Sequence, residues 1–243
     1  MKAVAVFAFA LATAAATGLG AVPFARHKAL TRRWIGIATA LAGGFMLGAS
    51  IGLLHEGWLR NATRTLVGAG VGILFIVVTR HLLDGRRESH IGALRGTNAR
   101  RAIVIMAVMT IHSFTEGAAI GVAFVEEGSF GLLIAVAIAV HNIPEGLAIS
   151  ATLVPSGVSP LRAAAWSILS SLPQPLMAVP AYLAVRVARD LLPAGLGFAA
   201  GAMLWMVATQ LIPEARRDTS VRSLSIAVIA AAAVMVALQA AIA

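Results

Sequence analysis

A bundle of membrane-spanning α-helices is the fold this chain predicts, and three observations carry the prediction. Of its 243 residues, 59% are hydrophobic and only 12% are charged, about half the charged share of a soluble domain. The apolar residues come in blocks of about 20, the length a helix needs to cross a bilayer core. The basic residues gather in the short polar links between those blocks. The expected class is therefore all-α, a polytopic membrane protein with eight transmembrane helices in one bundle.

The blocks run 3–24, 34–55, 65–80, 101–125, 130–152, 161–185, 193–213 and 221–242, the third being the shortest. Together with their links they occupy residues 1–243, so a single integral-membrane domain is expected. The first block, MKAVAVFAFALATAAATGLG, has the basic start, apolar core and small residues of a signal peptide. Its apolar stretch is long enough to span, and a basic link follows it, which favours a retained helix.

The net charge of +9 is a topology signal. Fourteen of the 19 basic residues lie in odd-numbered links, among them Arg26, Lys28, Arg32, Arg33, Arg86, Arg87, Arg216 and Arg217. The other five are Lys2, Arg60, Arg64, Arg186 and Arg189. The positive-inside rule then places the odd links, with the 81–100 loop, in the cytoplasm and both termini outside. Nucleic acid is excluded as a partner on this reading; the lipid bilayer is expected instead. His81, Asp84, Glu88 and His90 could form a metal-sensing loop, but a solvated basic anchor is the favoured reading. With no cysteine in the chain, disulfides and thiolate sites are excluded, and any metal is held by nitrogen and oxygen.

Small residues recur at spacing four: Gly44, Gly48 and Gly52, then Gly68 and Gly72, then Gly197 and Gly201. Such faces let helix backbones meet where lipid removes the hydrophobic drive between helices. Packing within one chain is favoured, with a homodimer seam as the alternative.

Two related motifs interrupt the oiliest blocks: HSFTEG at 112–117 and HNIPEG at 141–146. Each holds His and Glu four apart, on one helix face about one turn apart. A short link joins the two blocks, so the helices are antiparallel neighbours. Counting inward at ~1.5 Å per residue, His112, Glu116, His141 and Glu145 alternate in depth and fit within ~9 Å. If the faces meet, one His₂Glu₂ cluster forms near the midplane. Each ionised glutamate there costs ~2.5–3.5 kcal/mol on insertion scales if unpaired. A divalent cation offsets that cost, and imidazole with carboxylate suits Zn²⁺, Fe²⁺ and Mn²⁺. Asn142 and Ser113 add neutral oxygens beside the histidines, and Pro144 frees a backbone carbonyl. Metal-free alternatives are a hydrogen-bonded network and a proton relay.

The paired motifs, with GLGAVPF in the first span and GAMLWMVATQLIPEA in the seventh, resemble the ZIP family of divalent-metal transporters over essentially the full length. The resemblance implies transport of Zn²⁺, or of Fe²⁺, Mn²⁺, Co²⁺ or Cd²⁺, toward the cytoplasm across the plasma (inner) membrane. The ion is substrate, and no cofactor is expected. It further implies a binuclear centre between spans four and five, extended by span six, with spans one, four, five and six moving as an elevator. His112, Glu116, His141 and Glu145 match the principal ligands. Ser113 replaces the usual Asn, Thr115 the frequent Pro, and Gln174 in SSLPQP an expected glutamate, which weakens the second metal position. The rival reading is an intramembrane metal-dependent hydrolase, although the HExxH helix motif is absent. A third is a metal-independent, proton-coupled carrier.

Overall fold

The computed structural model describes residues 2–26, 30–84, 97–125 and 129–242, and among them every regular element is helical. The basic and acidic residues Arg86, Arg87, Glu88, His90 and Arg95 of the long link lie outside the described residues, as do Lys28, Glu126 and Glu127. Among the described residues, six segments are long and apolar enough to cross a membrane. Blocks two and three of the sequence reading fall within one continuous stretch that is broken at Asn61.

That run is α2, Arg32–Asp84. It follows α1, Lys2–Thr17, which tightens into a 3₁₀ stretch at Gly18–Ala25, where Gly18, Gly20 and Pro23 weaken an α-helix. Within α2 the helix breaks at Asn61, whose φ and ψ of −163° and 100° are extended. The Asn61 side chain then accepts from the Arg64 N–H at 2.9 Å, an N-cap that starts a new helix without a loop.

Glycine contacts give the direction of each half of α2. Below Asn61, the faces of Gly44 and Gly48 meet Ala231 and Met235 of α9, Val221–Ile242, so the two helices run parallel. Gly43 meets Leu211 and Gly57 meets Leu196, so this half runs against α7, Leu192–Met206. Above Asn61, Gly68 packs on Ala194, Gly72 on Phe198, Gly197 on Thr65 and Gly201 on Ala69, parallel to α7. The two halves of α2 are therefore antiparallel, and the chain reverses at Asn61. The spaced glycines identified in the sequence all lie at these seams within the chain. In lipid such close backbone approach supplies the attraction that hydrophobicity supplies in water.

The second layer is built from α3, Thr97–Ala123, and α4, Phe130–Leu153, with α5, Pro160–Ser171, and α6, Pro173–Val187. Block six is thus divided, broken at Leu172 ahead of Pro173 and Pro175. A short 3₁₀ turn, Val154–Ser156, and Gly157 at a φ of 95° close the α4–α5 link. Beyond α7, a π turn over Val207–Leu211 leads to α8, Ile212–Asp218. Ser and Thr hydroxyls along the helices are mostly satisfied locally: Thr39, Ser50, Thr79 and Thr110 each donate to the carbonyl four residues earlier. Met46, buried in the largest apolar cluster with Leu53, Ile120, Ile134 and Met203, is core packing.

Candidate metal centre

The last glycine of each motif fixes where the site forms. A Cβ on Gly117 of HSFTEG would lie 2.9 Å from the Gln174 Cα. A Cβ on Gly146 of HNIPEG would overlap the Thr17 carbonyl. Only glycine lets the backbones of α6 and α1 come this near to α3 and α4. The approach at Gly117 carries Gln174 to the neighbouring Glu116, and the approach at Gly146 carries α1 to α4.

The two His–Glu faces do meet. His112, Glu116, His141 and Glu145 are each at most 3% exposed, and one ligand atom from each lies within 4.8 Å of all the others. The pairing is antiparallel: His112 Nε2 is 2.6 Å from Glu145 Oε1, and His141 Nε2 contacts Glu116 Oε1. His112 Nε2 also stands 3.0 Å from Glu116 Oε1. The imidazole rings are edge to face, 6.3 Å between centroids. Glu116 is the hub, since its second oxygen accepts from the Gln174 amide.

Gln174 ties this hub to two more elements. Its Oε1 accepts from Asn142 Nδ2 at 3.2 Å and from the Thr13 hydroxyl at 3.1 Å. Asn142 Nδ2 also donates to the Thr13 carbonyl at 2.8 Å. Gln174 and Asn142 therefore join the cluster through a buried amide network. Ser113 is buried beside His112 in sequence, and its hydroxyl has no hydrogen-bond partner among the described residues. Two residues of the site were missed in the sequence. Thr13 gave one weak signal, a hydroxyl in an alanine-rich span. Met206, whose sulfur contacts His112 Nδ1, gave none.

Several buried atoms here have no hydrogen-bond partner among the described residues: His112 Nε2, His141 Nδ1, Asn142 Oδ1 and Glu145 Oε1. His112 Nε2 and Glu145 Oε1 are close, yet their geometry is not that of a hydrogen bond. Unpaired buried donors and acceptors are costly. Two imidazoles and two carboxylates converging on one point form an N₂O₂ donor set of the kind that binds Zn²⁺ tetrahedrally. Away from the cluster, Glu56 pairs with Arg60 at 2.7 Å.

A helical membrane bundle with a buried His₂Glu₂ cluster is the class of protein that fold and site define. The profile of the ZIP zinc transporter family matches residues 84–239, and the chain belongs to that family. It is 44% identical over 215 residues to the Arabidopsis thaliana protein At3g08650, whose name assigns it provisionally to zinc transport; the match covers 87% of this chain and 35% of that one. It is 36% identical over 217 residues to the zinc transporter GufA of Myxococcus xanthus, covering 83% of this chain and 85% of GufA. Zinc transporter ZIP11 of Homo sapiens matches at 40% over 128 residues, half of this chain and 37% of ZIP11. The chain thus spans only about a third of At3g08650 but most of GufA. The family is one of transporters and not of enzymes, which displaces the hydrolase reading.

Proposed function

We propose that this protein carries Zn²⁺, or a related divalent cation, across the plasma membrane toward the cytoplasm. The ion is held between α3 and α4 by His112, Glu116, His141 and Glu145, with Asn142, Ser113 and Gln174 around it. The observation that carries this reading is the convergence of the four ligand atoms in a fully buried place. Two carboxylates are not retained at such depth without a counter-charge, and a divalent cation supplies it.

Transport requires the ion to enter and leave, and the site is closed. Met109, Ile149, Leu153 and Ala163 pack together at the end of the bundle where α4 meets α5. Ile120, Ile134 and Ile138 belong to the apolar cluster on the opposite side. Access alternating between the two ends then needs a movement of helices. The layer of α1, α3, α4, α5 and α6 sliding against α2, α7 and α9 is the movement we propose, since the glycine seams bind α2, α7 and α9 into one body.

Purified protein in liposomes tests the proposal. Zinc or cadmium uptake that is lost in His141→Ala or Glu145→Ala supports it. Wild-type uptake in both variants, at equal protein content, would remove these residues from the site. Solute flux indifferent to metal would favour the proton-coupled carrier.

A further inference from the structure

Remote from the His–Glu motifs in sequence, the start of α2 closes on the link between α8 and α9. A Cβ on Gly36 would lie 2.9 Å from the Asp218 carbonyl carbon and 3.0 Å from the Thr219 nitrogen. This approach brings Arg33, one helical turn before Gly36, to Arg217 at the far end of the chain. The two arginines, with Asp218, Thr219 and Ser220, line a cavity of about 530 Å³. Among the described residues neither guanidinium forms an ion pair, although Asp218 lines the same cavity. The Ser220 hydroxyl is committed to α9: it takes the Ser223 N–H at 3.2 Å and donates to the Ser223 hydroxyl at 3.0 Å. The Thr219 hydroxyl is not. It is buried and has no partner among the described residues, which is costly unless something outside the chain supplies one.

Charge and depth say what that is. Two guanidiniums and one carboxylate leave a single positive charge. A phosphodiester, with one negative charge, balances it, whereas a phosphate monoester brings about −1.5 to −2. Guanidinium forks match phosphate oxygens, and a threonine hydroxyl can donate to a third. The cavity sits where α2 begins, α8 ends and α9 begins. The 22 residues of α9 rise ~33 Å, about the thickness of a bilayer core, so its first turn lies at headgroup level. Trp34, beside Arg33, is 65% exposed, as suits an indole at the membrane interface. From Arg222, Ile226, Ile229, Ala233 and Val236 follow at helical spacing along one exposed face of α9. That face offers an acyl chain a place to lie.

We propose that this cavity holds the headgroup phosphate of an anionic phospholipid, with Arg33 and Arg217 on its oxygens, Thr219 donating to it and an acyl chain along α9. Arginines that only anchor topology need water and have no reason to converge, so the two roles separate by experiment.

Full-length protein in detergent is titrated with dioleoylphosphatidylglycerol or dioleoylphosphatidylcholine, and bound lipid is counted by native mass spectrometry. One phosphatidylglycerol per chain should bind on the order of 10-fold more tightly than phosphatidylcholine. Arg33→Gln with Arg217→Gln should weaken phosphatidylglycerol on the order of 10-fold or more. Arg26→Gln with Arg162→Gln removes the same charge from other odd-numbered links and should leave the affinity as it was. Thr219→Val keeps the shape and should weaken binding on the order of 5-fold, with the lipid-free melting temperature unchanged. Unchanged affinity in either the Arg33–Arg217 protein or the Thr219→Val protein would overturn the proposal. So would equal losses in the two arginine pairs, which mark diffuse charge attraction. Displacement of the lipid by millimolar inorganic phosphate would overturn it too, by giving the cavity to a free anion.

Discussion

Glu116 gathers both histidines and Gln174 on its two carboxylate oxygens, and these neighbours differ in what they permit. Both histidines approach Oε1, and the Gln174 amide takes Oε2. Glu116→Gln keeps the shape and removes the charge, so Zn²⁺ affinity should fall by two orders of magnitude or more, read by titration. Retained affinity would remove Glu116 from the ligand set. Gln174 makes a finer prediction. Its neutral side chain, with Asn142 and Ser113, leaves Glu116 and Glu145 as the carboxylates of the cluster, −2 against the +4 of two divalent ions. Burying that excess is costly in low dielectric, so one ion should be held tightly. Gln174→Glu sets a third carboxylate against Glu116 and needs a further cation to be stable. Metal counted on purified protein should rise from one toward two per chain, and uptake should slow as release becomes harder. Two tight ions in wild type, or an unchanged count in the variant, would sink this assignment.

At the level of elements, the site was legible where its geometry is local. Spacing four on two antiparallel helices is enough to bring His112 to Glu145 and His141 to Glu116, and the link between the helices is too short for another arrangement. What the sequence does not specify is contact between distant segments. Thr13 meets Gln174, and Met206 meets His112, across segments far apart in the chain, which local periodicity cannot report. The same holds for α2. Its reversal uses one residue, Asn61, where the apolar pattern only suggests two blocks and a link. Gly117 offers a test of this element-scale claim. A methyl group there meets the Gln174 backbone, whereas a methyl on Gly70 meets nothing within 4 Å. Gly117→Ala should cost about 1–3 kcal/mol through overpacking and lower ion affinity by displacing Gln174 from Glu116. Gly70→Ala should change neither. The comparison is read from melting temperature and Zn²⁺ titration, and equal behaviour of the two variants would detach α6 from the site.

Among the described residues, links two, four and six gather at one end of the molecule and links one and seven at another. Arg60, Asn61 and Arg64 of the α2 reversal line one cavity of about 600 Å³ with Val125, Arg189, Asp190, Leu192 and Pro193. Links two, four and six therefore share an end, pinned by the Arg64–Asp190 ion pair at 3.1 Å. Arg33 of the first link and Arg217 to Ser220 of the seventh line a second cavity. Links one and seven thus share an end too, and they belong to the odd set that carries most of the basic residues. The positive-inside rule is the ground on which we propose that the first cavity faces outside and the second inside. Because the chain has no cysteine, each single introduced thiol is unambiguous. An impermeant thiol reagent added to whole cells should label Arg189→Cys and spare Ser220→Cys until the membrane is permeabilised. Labelling in the reverse order would invert the proposed topology, and with it the proposed direction of transport, while leaving the His₂Glu₂ site untouched.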